Sequence, residues 1–187
     1  MALQPAPAPY RFTVEEYYRL AEVGFFHEDS RVELLEGEIV QMAPIANQHA
    51  QCVRRLTTFF SDQLRSRVVV SVQNPVRLSD DSEPEPDVVL LNFRPEDYAA
   101  HPSPADVVLL VEVSDTTVAW DRSRKVPLYA RAAIQEVWLV DLVAGAVEVY
   151  RQPDGETFGD VRVVGPEGRV APATFPGAEI SVGDLLH

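Results

Sequence analysis

Two acidic residues lie inside stretches that otherwise read as buried strand. Asp87 opens the run Asp87-Val88-Val89-Leu90-Leu91, and Glu112 interrupts Val107-Val108-Leu109-Leu110-Val111-Glu112-Val113. Unbroken runs of β-branched and aliphatic residues belong to strands covered on both faces, so these segments call for a sheet with other layers packed against it. An ionised carboxylate in such a place is strongly disfavoured unless a cation compensates it. A bound divalent metal is the simplest compensation. Lys125 stands thirteen residues beyond Glu112 in a stretch that reads as a helix returning across the strand, so it can bring a cation to the same end of the sheet. Acid, acid and lysine is a constellation suited to metal-dependent cleavage of phosphodiesters.

With 187 residues and 46% hydrophobic content, the chain has the material for one domain of ordinary size. Residues 1–9 are proline-rich with little to order them, and read as a flexible arm ahead of a single domain over 10–187. The lone Cys52 excludes an intrachain disulfide and is assigned no chemistry. Met1-Ala2-Leu3-Gln4-Pro5 has neither the basic region nor the long apolar region of a secretory signal. No apolar stretch approaches the roughly 20 residues that span a bilayer, because Glu112 breaks the longest. A soluble, cytoplasmic protein without a membrane role is the expectation. The net charge of −13 runs against a conventional nucleic-acid binder, whose affinity rests on Lys and Arg neutralising phosphates. Part of that charge is local to Asp80-Asp81-Ser82-Glu83-Pro84-Glu85-Pro86-Asp87, where a metal would neutralise some of it. Arg54, Arg55, Arg65 and Arg67 form the clearest basic cluster, either a positive helix face or an ordinary solvated surface.

Thr13-Val14-Glu15-Glu16 matches a capping box and predicts a helix running to about Val23. Glu36-Gly37, between Arg31–Leu35 and Glu38–Met42, predicts a tight hairpin. Val53, Leu56, Phe59, Phe60 and Leu64 recur at helical spacing within Ala46–Arg67, the longest predicted helix. Strands are expected at Val68–Leu78, Asp87–Asn92, Val107–Ser114, Glu136–Asp141 and Ala146–Arg151, with a helix over Asp121–Ala133. The tail from Gly155 to Ile180 reads as short antiparallel pieces between Gly and Pro breaks. This order implies an α/β (α+β) domain with a mixed central sheet and helices on its faces, and Tyr129 and Trp138 in its core.

Across roughly Phe12 to Arg151 a set of motifs accumulates: Tyr17, Glu33-Leu34-Leu35-Glu36-Gly37-Glu38, His49 opening the long helix, Pro86-Asp87-Val88, Glu112-Val113-Ser114, Asp121-Arg122 with Lys125, Tyr129-Ala130, and Glu136-Val137-Trp138-Leu139-Val140-Asp141. Together they resemble the Uma2 family, formerly the domain of unknown function DUF820, within the PD-(D/E)xK restriction-endonuclease-like superfamily. The resemblance implies a restriction-endonuclease-like core and a Mg2+-dependent endonuclease, with Mn2+ as a substitute ion and nucleic acid, DNA in the first place, as substrate. It also implies Asp87 and Glu112 as metal ligands, Lys125 beside the scissile phosphate, and Glu33 completing the acidic cluster. The backbone carbonyl of Val113 would add a further ligand oxygen, in keeping with the preference of Mg2+ for oxygen donors. In the superfamily's usual motif the lysine lies two residues beyond the second acid, but that position is Ser114 here. Lys125 must reach back from the helix, on the face it shares with Asp121.

Plainer readings stand beside these. Asp121 and Lys125 could form an ordinary surface ion pair, and Asp87 could be a turn residue following Pro86. Glu112 has the weakest alternative, since exposure is hard to arrange in mid-strand. Glu33 could face solvent between Val32 and Leu34, and only the resemblance raises it above that. His49 is a general base or phosphate contact, or else a helix cap or surface residue. Gln73 aims at the cluster, or is merely the polar side of an alternating strand. For function the alternative is a catalytically silent nuclease-fold protein that binds or regulates as a homodimer, which the negative charge favours. A homodimer would also bring two active sites to two strands, with Val147–Arg151 as a candidate exposed interface.

Overall fold

The computed structural model describes residues 8–27 and 29–186, so the proline-rich arm expected over 1–9 lies outside the described residues except at its end. Thr13 caps α1 (Val14–Glu22): its hydroxyl accepts from the Glu16 amide at 3.2 Å, and the Glu16 carboxylate accepts from the Thr13 amide at 3.0 Å. β1 (Val32–Leu35) and β2 (Glu38–Gln41) form the expected hairpin. Glu36 and Gly37 turn it with φ of +50° and +74°, the left-handed backbone that a two-residue turn of this kind requires. A side chain at Gly37 would also stand 2.6 Å from Arg11 Cβ. Glycine is therefore required both by conformation and by space.

α2 (Asn47–Leu64) buries Val53, Leu56, Phe60 and Leu64 of the expected stripe together with Cys52, while Phe59 is half-buried. It ends before Arg67 because Arg65 takes φ +41°, and a short 3-10 turn covers Arg65–Arg67. β3 (Val68–Val72), β4 (Val88–Asn92) and β5 (Val107–Ser114) then pair antiparallel in sequence. A crossover of α3 (Val118–Trp120), a π-helical turn (Asp121–Lys125) and α4 (Val126–Arg131) leads to β6 (Glu136–Asp141), which is parallel to β5. β7 (Ala146–Pro153) and β8 (Phe158–Val164) complete a mixed sheet of order β3-β4-β5-β6-β7-β8. β9 (Arg169–Val170) and β10 (Ile180–Ser181) make a separate ribbon before α5 (Val182–Leu186).

Several boundaries differ from the sequence expectation for physical reasons. The strand expected over Val68–Leu78 stops at Val72, where Gln73 adopts φ +50° and turns the chain out of the sheet. The helix expected over Asp121–Ala133 begins earlier and opens into the π turn. Pro127 cannot donate to the helical ladder, and the Val126 amide bonds to the Asp121 carbonyl five residues back. The tail supplies a seven-residue strand to the main sheet instead of only short pieces. That strand overturns Val147–Arg151 as an exposed interface: the segment lies in β7, between β6 and β8, with Val147, Glu148, Val149 and Tyr150 buried. The edge strand on this side is β8, and β3 is the other.

The sheet separates two apolar layers. Leu109, Val111 and Val113 of β5 pack with α2 and α5, while Leu110 packs with Val126, Tyr129 and Ala130 of the crossover. Strand alternation therefore places Glu112 and Ser114 on the crossover side with Leu110. Trp138 is fully buried against Phe60, with ring centroids 6.0 Å apart. Among the described residues no helix is long and apolar enough to cross a membrane.

The turn at Gly37 holds the strand that carries Glu33. Replacing Gly37 with Ala should lower the unfolding free energy by about 2 kcal/mol or more, because the strain of positive φ adds to the collision with Arg11. Urea denaturation checks this, and an unchanged midpoint would contradict it.

Candidate active site

The sequence-marked acids and lysine converge at one end of β5. Glu33, Asp87, Glu112 and Lys125 are all between 3% and 6% exposed. Lys125 Nζ lies 3.1 Å from Glu33 Oε1 and 3.2 Å from Glu112 Oε1. The Tyr129 hydroxyl donates to the same Glu112 oxygen at 2.5 Å. Lys125 and Tyr129 are four residues apart, so the end of the π turn and the first turns of α4 aim both at Glu112. This is the reach that the displaced lysine needs. Ser114, at the position where the superfamily's motif carries its lysine, donates its hydroxyl to Asp121 Oδ2 at 2.5 Å. Thr117 donates to the same oxygen at 2.9 Å. Asp121 is thus engaged by hydroxyls, and the surface ion pair with Lys125 is not formed.

Asp87 immediately precedes β4 and is held from three directions. Its Oδ2 accepts from the Val113 amide at 2.9 Å and lies 3.0 Å from His49 Nε2, while Oδ1 accepts from Gln73 Nε2 at 3.2 Å. The left-handed turn at Gln73 is what brings its amide back to Asp87. His49, in the first turn of α2, reaches the cluster instead of capping the helix, and its Nδ1 is buried without a hydrogen-bond partner. Glu33 does not face solvent. The segment after Ser82 covers β1, and the Glu85 amide donates to Glu33 Oε2 at 3.2 Å. Glu33, His49, Glu85, Asp87, Glu112 and Lys125, with Val113 and Asp121, line a cleft of about 990 Å³.

Burial dominates the electrostatics. It pushes the Glu112 carboxyl up to about 8; Lys125 opposes the rise, and Asp87, Asp121 and Glu33 reinforce it. Burial disfavours charge on Lys125, but Glu112, Glu33 and Asp121 outweigh it and hold the ammonium above the ordinary lysine range. Lys125 is therefore a fixed cation. Burial, then the nearby Glu33, raises the Glu85 carboxyl as well. The cleft is thus short of positive charge even with Lys125 in place.

That deficit and the oxygen-rich donor set fit a hard divalent ion. Among the described residues Glu112 Oε2 has no hydrogen-bond partner, whereas Oε1 holds Lys125 and Tyr129. Among the same residues no group of three or more His, Cys, Asp or Glu side chains stands ready to hold a metal by itself. The donors available are consequently carboxylates from Asp87 and Glu112, with backbone and water oxygens. Mg2+ commonly binds in this manner, keeping several of its waters.

Sequence reasoning gave no individual site role to Tyr129, Glu85 or Arg31. Tyr129 was legible as core, and its place four residues after Lys125 was the signal for its second role. Glu85 stands two residues before Asp87, and Arg31 lines the wall beside Glu33. Cys52 is buried, its thiol pushed up to about 12 by burial and by Asp87, which leaves it inert near neutrality.

The model of the family described as "Uma2: Putative restriction endonuclease" matches residues 14–183. A crystal structure of "a putative nuclease belonging to DUF820 from Anabaena variabilis ATCC 29413" is similar with a TM-score of 0.73. Sequence identity is 16%, over 94% of this chain and 97% of that one, a likeness of fold. Among curated proteins no significant match is found.

The raised Glu112 carboxyl gives the metal-free protein a defined pH response. Between 4.5 and about 8 the unfolded chain releases this proton while the folded protein retains it. The stability contribution is full below the lower value and is lost as pH rises through the upper one. Glu112→Gln cannot show that loss. In metal-free urea denaturation its stability relative to wild type should rise steadily from about pH 5 to about pH 8; a constant difference would contradict the assignment.

Proposed function

Since the chain belongs to the Uma2 family, described as "Putative restriction endonuclease", we propose that it is a divalent-metal-dependent endonuclease that hydrolyses phosphodiester bonds of nucleic acid, DNA in the first place. One observation carries the reading: a buried, permanently charged lysine held between Glu33 and Glu112, in one cleft with Asp87.

Asp87 and Glu112 would hold Mg2+, or Mn2+ in its place, with the Val113 carbonyl as a further oxygen donor. When bound, such an ion supplies Lewis-acid polarisation of the phosphoryl group and acidification of water. The protein's own groups do the rest. Lys125 stays protonated, so it acts as a positioned charge that stabilises the negative charge gathering on the phosphoryl oxygens during attack, and not as the base. Glu33 holds the ammonium in place from the hairpin, and Tyr129 fixes the orientation of Glu112. His49 and Gln73 are positioning residues that fix the rotamer of Asp87. Asp121, pinned by Ser114 and Thr117, anchors the π turn and adds negative potential that keeps Lys125 charged.

A second reading is favoured by the net charge of −13: a nuclease fold retained for binding or regulation as a homodimer, without cleavage. Conversion to such a role relaxes the need for the acids and lysine, yet all of them are present, Lys125 in contact with Glu33 and Glu112 and Asp87 in the same cleft.

Incubation of supercoiled plasmid with Mg2+ or Mn2+ separates the two readings. Wild type should nick or linearise the plasmid, and EDTA or Asp87→Ala should abolish this with the variant still folded, whereas Lys125→Ala should abolish it at a cost in stability. Undiminished metal-dependent cutting by Asp87→Ala would remove Asp87 from the mechanism, and an inert wild type would favour the silent fold. His49→Ala should weaken metal affinity by about 10- to 100-fold without abolishing it, as loss of an outer-shell partner does. Calorimetric titration measures that difference.

A further inference from the structure

A cleft carrying Glu33, Glu85, Asp87 and Glu112 against Lys125 is a poor landing place for a polyanion, and the chain as a whole bears −13. The distribution of ion pairs shows where positive charge is left uncommitted. Apart from Lys125, every basic residue in the chain is arginine. Nine arginines form ion pairs with Asp or Glu. Among the described residues, those without such a pair are Arg19, Arg31, Arg54, Arg55, Arg65 and Arg67. Four of them stand on α2 or just beyond its end.

α2 is the helix whose first turn carries His49 into the cleft. Arg54 lies in the second turn of α2 and Arg65 just past its last residue, so the two mark its length from near the cleft to its end. Both are exposed. Arg55 donates to the Leu185 carbonyl at 3.2 Å, and the Arg67 guanidinium lies over the Phe175 ring at 4.8 Å. These contacts orient the two guanidinium groups without neutralising them. A groove of about 630 Å³ runs between α2 and the β10–α5 segment. The acids lining it are Glu179, which is paired with Arg169 at 3.4 Å, and Asp184. Arg31 lies in the wall of the cleft itself.

We propose that the sugar–phosphate backbone of the nucleic acid leaves the cleft past His49 and runs along the solvent face of α2, where Arg54, Arg55, Arg65 and Arg67 neutralise its phosphates. The inference rests on the endonuclease reading for what enters the cleft, but its claim concerns binding and is tested apart from cleavage. Guanidinium groups suit this role because their planar fork matches phosphate oxygens. Contacts of this kind carry no base information, so the path is indifferent to sequence.

The test is fluorescence anisotropy of a labelled DNA duplex in EDTA over a series of KCl concentrations. Arg54→Glu/Arg65→Glu is compared with wild type and with Arg19→Glu/Arg162→Glu, which makes the same charge change on α1 and β8. The α2 variant should bind at least about tenfold more weakly than the control, and its log–log salt slope should fall by about 2, near 0.9 for each lost phosphate contact. Arg54→Gln/Arg65→Gln should move both quantities in the same direction by less, which guards against misfolding of the charge-reversed protein. Metal-dependent turnover of bis(p-nitrophenyl) phosphate should be unchanged, since neither arginine lines the cleft. If the α2 variants bind like the control with the full salt slope, or if wild type does not bind DNA, the path is overturned. Loss of binding in the α2 variants, in a protein that turns over no diester, would support the path while removing the endonuclease reading.

Discussion

One buried ammonium ties together parts of the chain that nothing local would join. Lys125, from the π turn, meets Glu33 of the hairpin and Glu112 of the central strand within 3.2 Å. Removing the Lys125 ammonium leaves the two carboxyl groups in an environment that hydrates their charge poorly, which is among the costlier defects a fold can carry. The hairpin therefore cannot drift from the sheet, nor the crossover from β5, without breaking the cluster. The apolar layers on either side of the sheet supply the burial that makes these charges matter. The π turn has its place in the same account. It lies just ahead of Pro127, and Asp121 and Lys125 are both buried in it, toward Ser114 and Glu112.

The acids of the central strands were legible because each contradicts its surroundings. Glu112 sits amid unbroken apolar sequence, and the structure keeps it buried beside its cation. Lys125 was legible as a cation that a helix could return to the sheet, though the widened turn that aims it depends on Pro127. Glu33 was not legible from its own strand. The alternation Val32-Glu33-Leu34 predicts one dry face and one wet face. It fails because the segment after Ser82 covers the second face, pairing at Leu34 and donating an amide to Glu33. Strand coverage by a segment fifty residues away leaves no local trace. The same limit explains β7: read alone, it resembles an exposed hairpin partner, and only the tail strand β8 places it inside the sheet. His49 and Gln73 were visible as polar residues near the right elements. That both would converge on Asp87 follows from a helix start and a left-handed turn whose directions the sequence does not encode locally.

Charge is arranged on two scales. Within the cleft, carboxylates outnumber the one lysine, and burial raises Glu112 until a proton or a metal must satisfy it. Across the surface, most arginines are spent on acids, so the acidic balance of the chain says little about where a polyanion would bind. What counts is the small set left unpaired among the described residues, four of whose six members stand on or just beyond the helix that opens at the cleft. A chain can thus be strongly acidic overall and still present a positive path, because potentials are set by local arrangement more than by net charge.

The central claim is that Asp87 and Glu112 hold a catalytic divalent ion beside Lys125. Diffraction from a Mn2+-soaked crystal, with data collected for the anomalous signal of manganese, tests it most directly. The account predicts an anomalous peak within coordination distance of the Asp87 and Glu112 carboxylates, near the Val113 carbonyl, and no such peak in Glu112→Gln crystals treated in the same way. An empty cluster in the wild type, or a peak held by other residues, would contradict it.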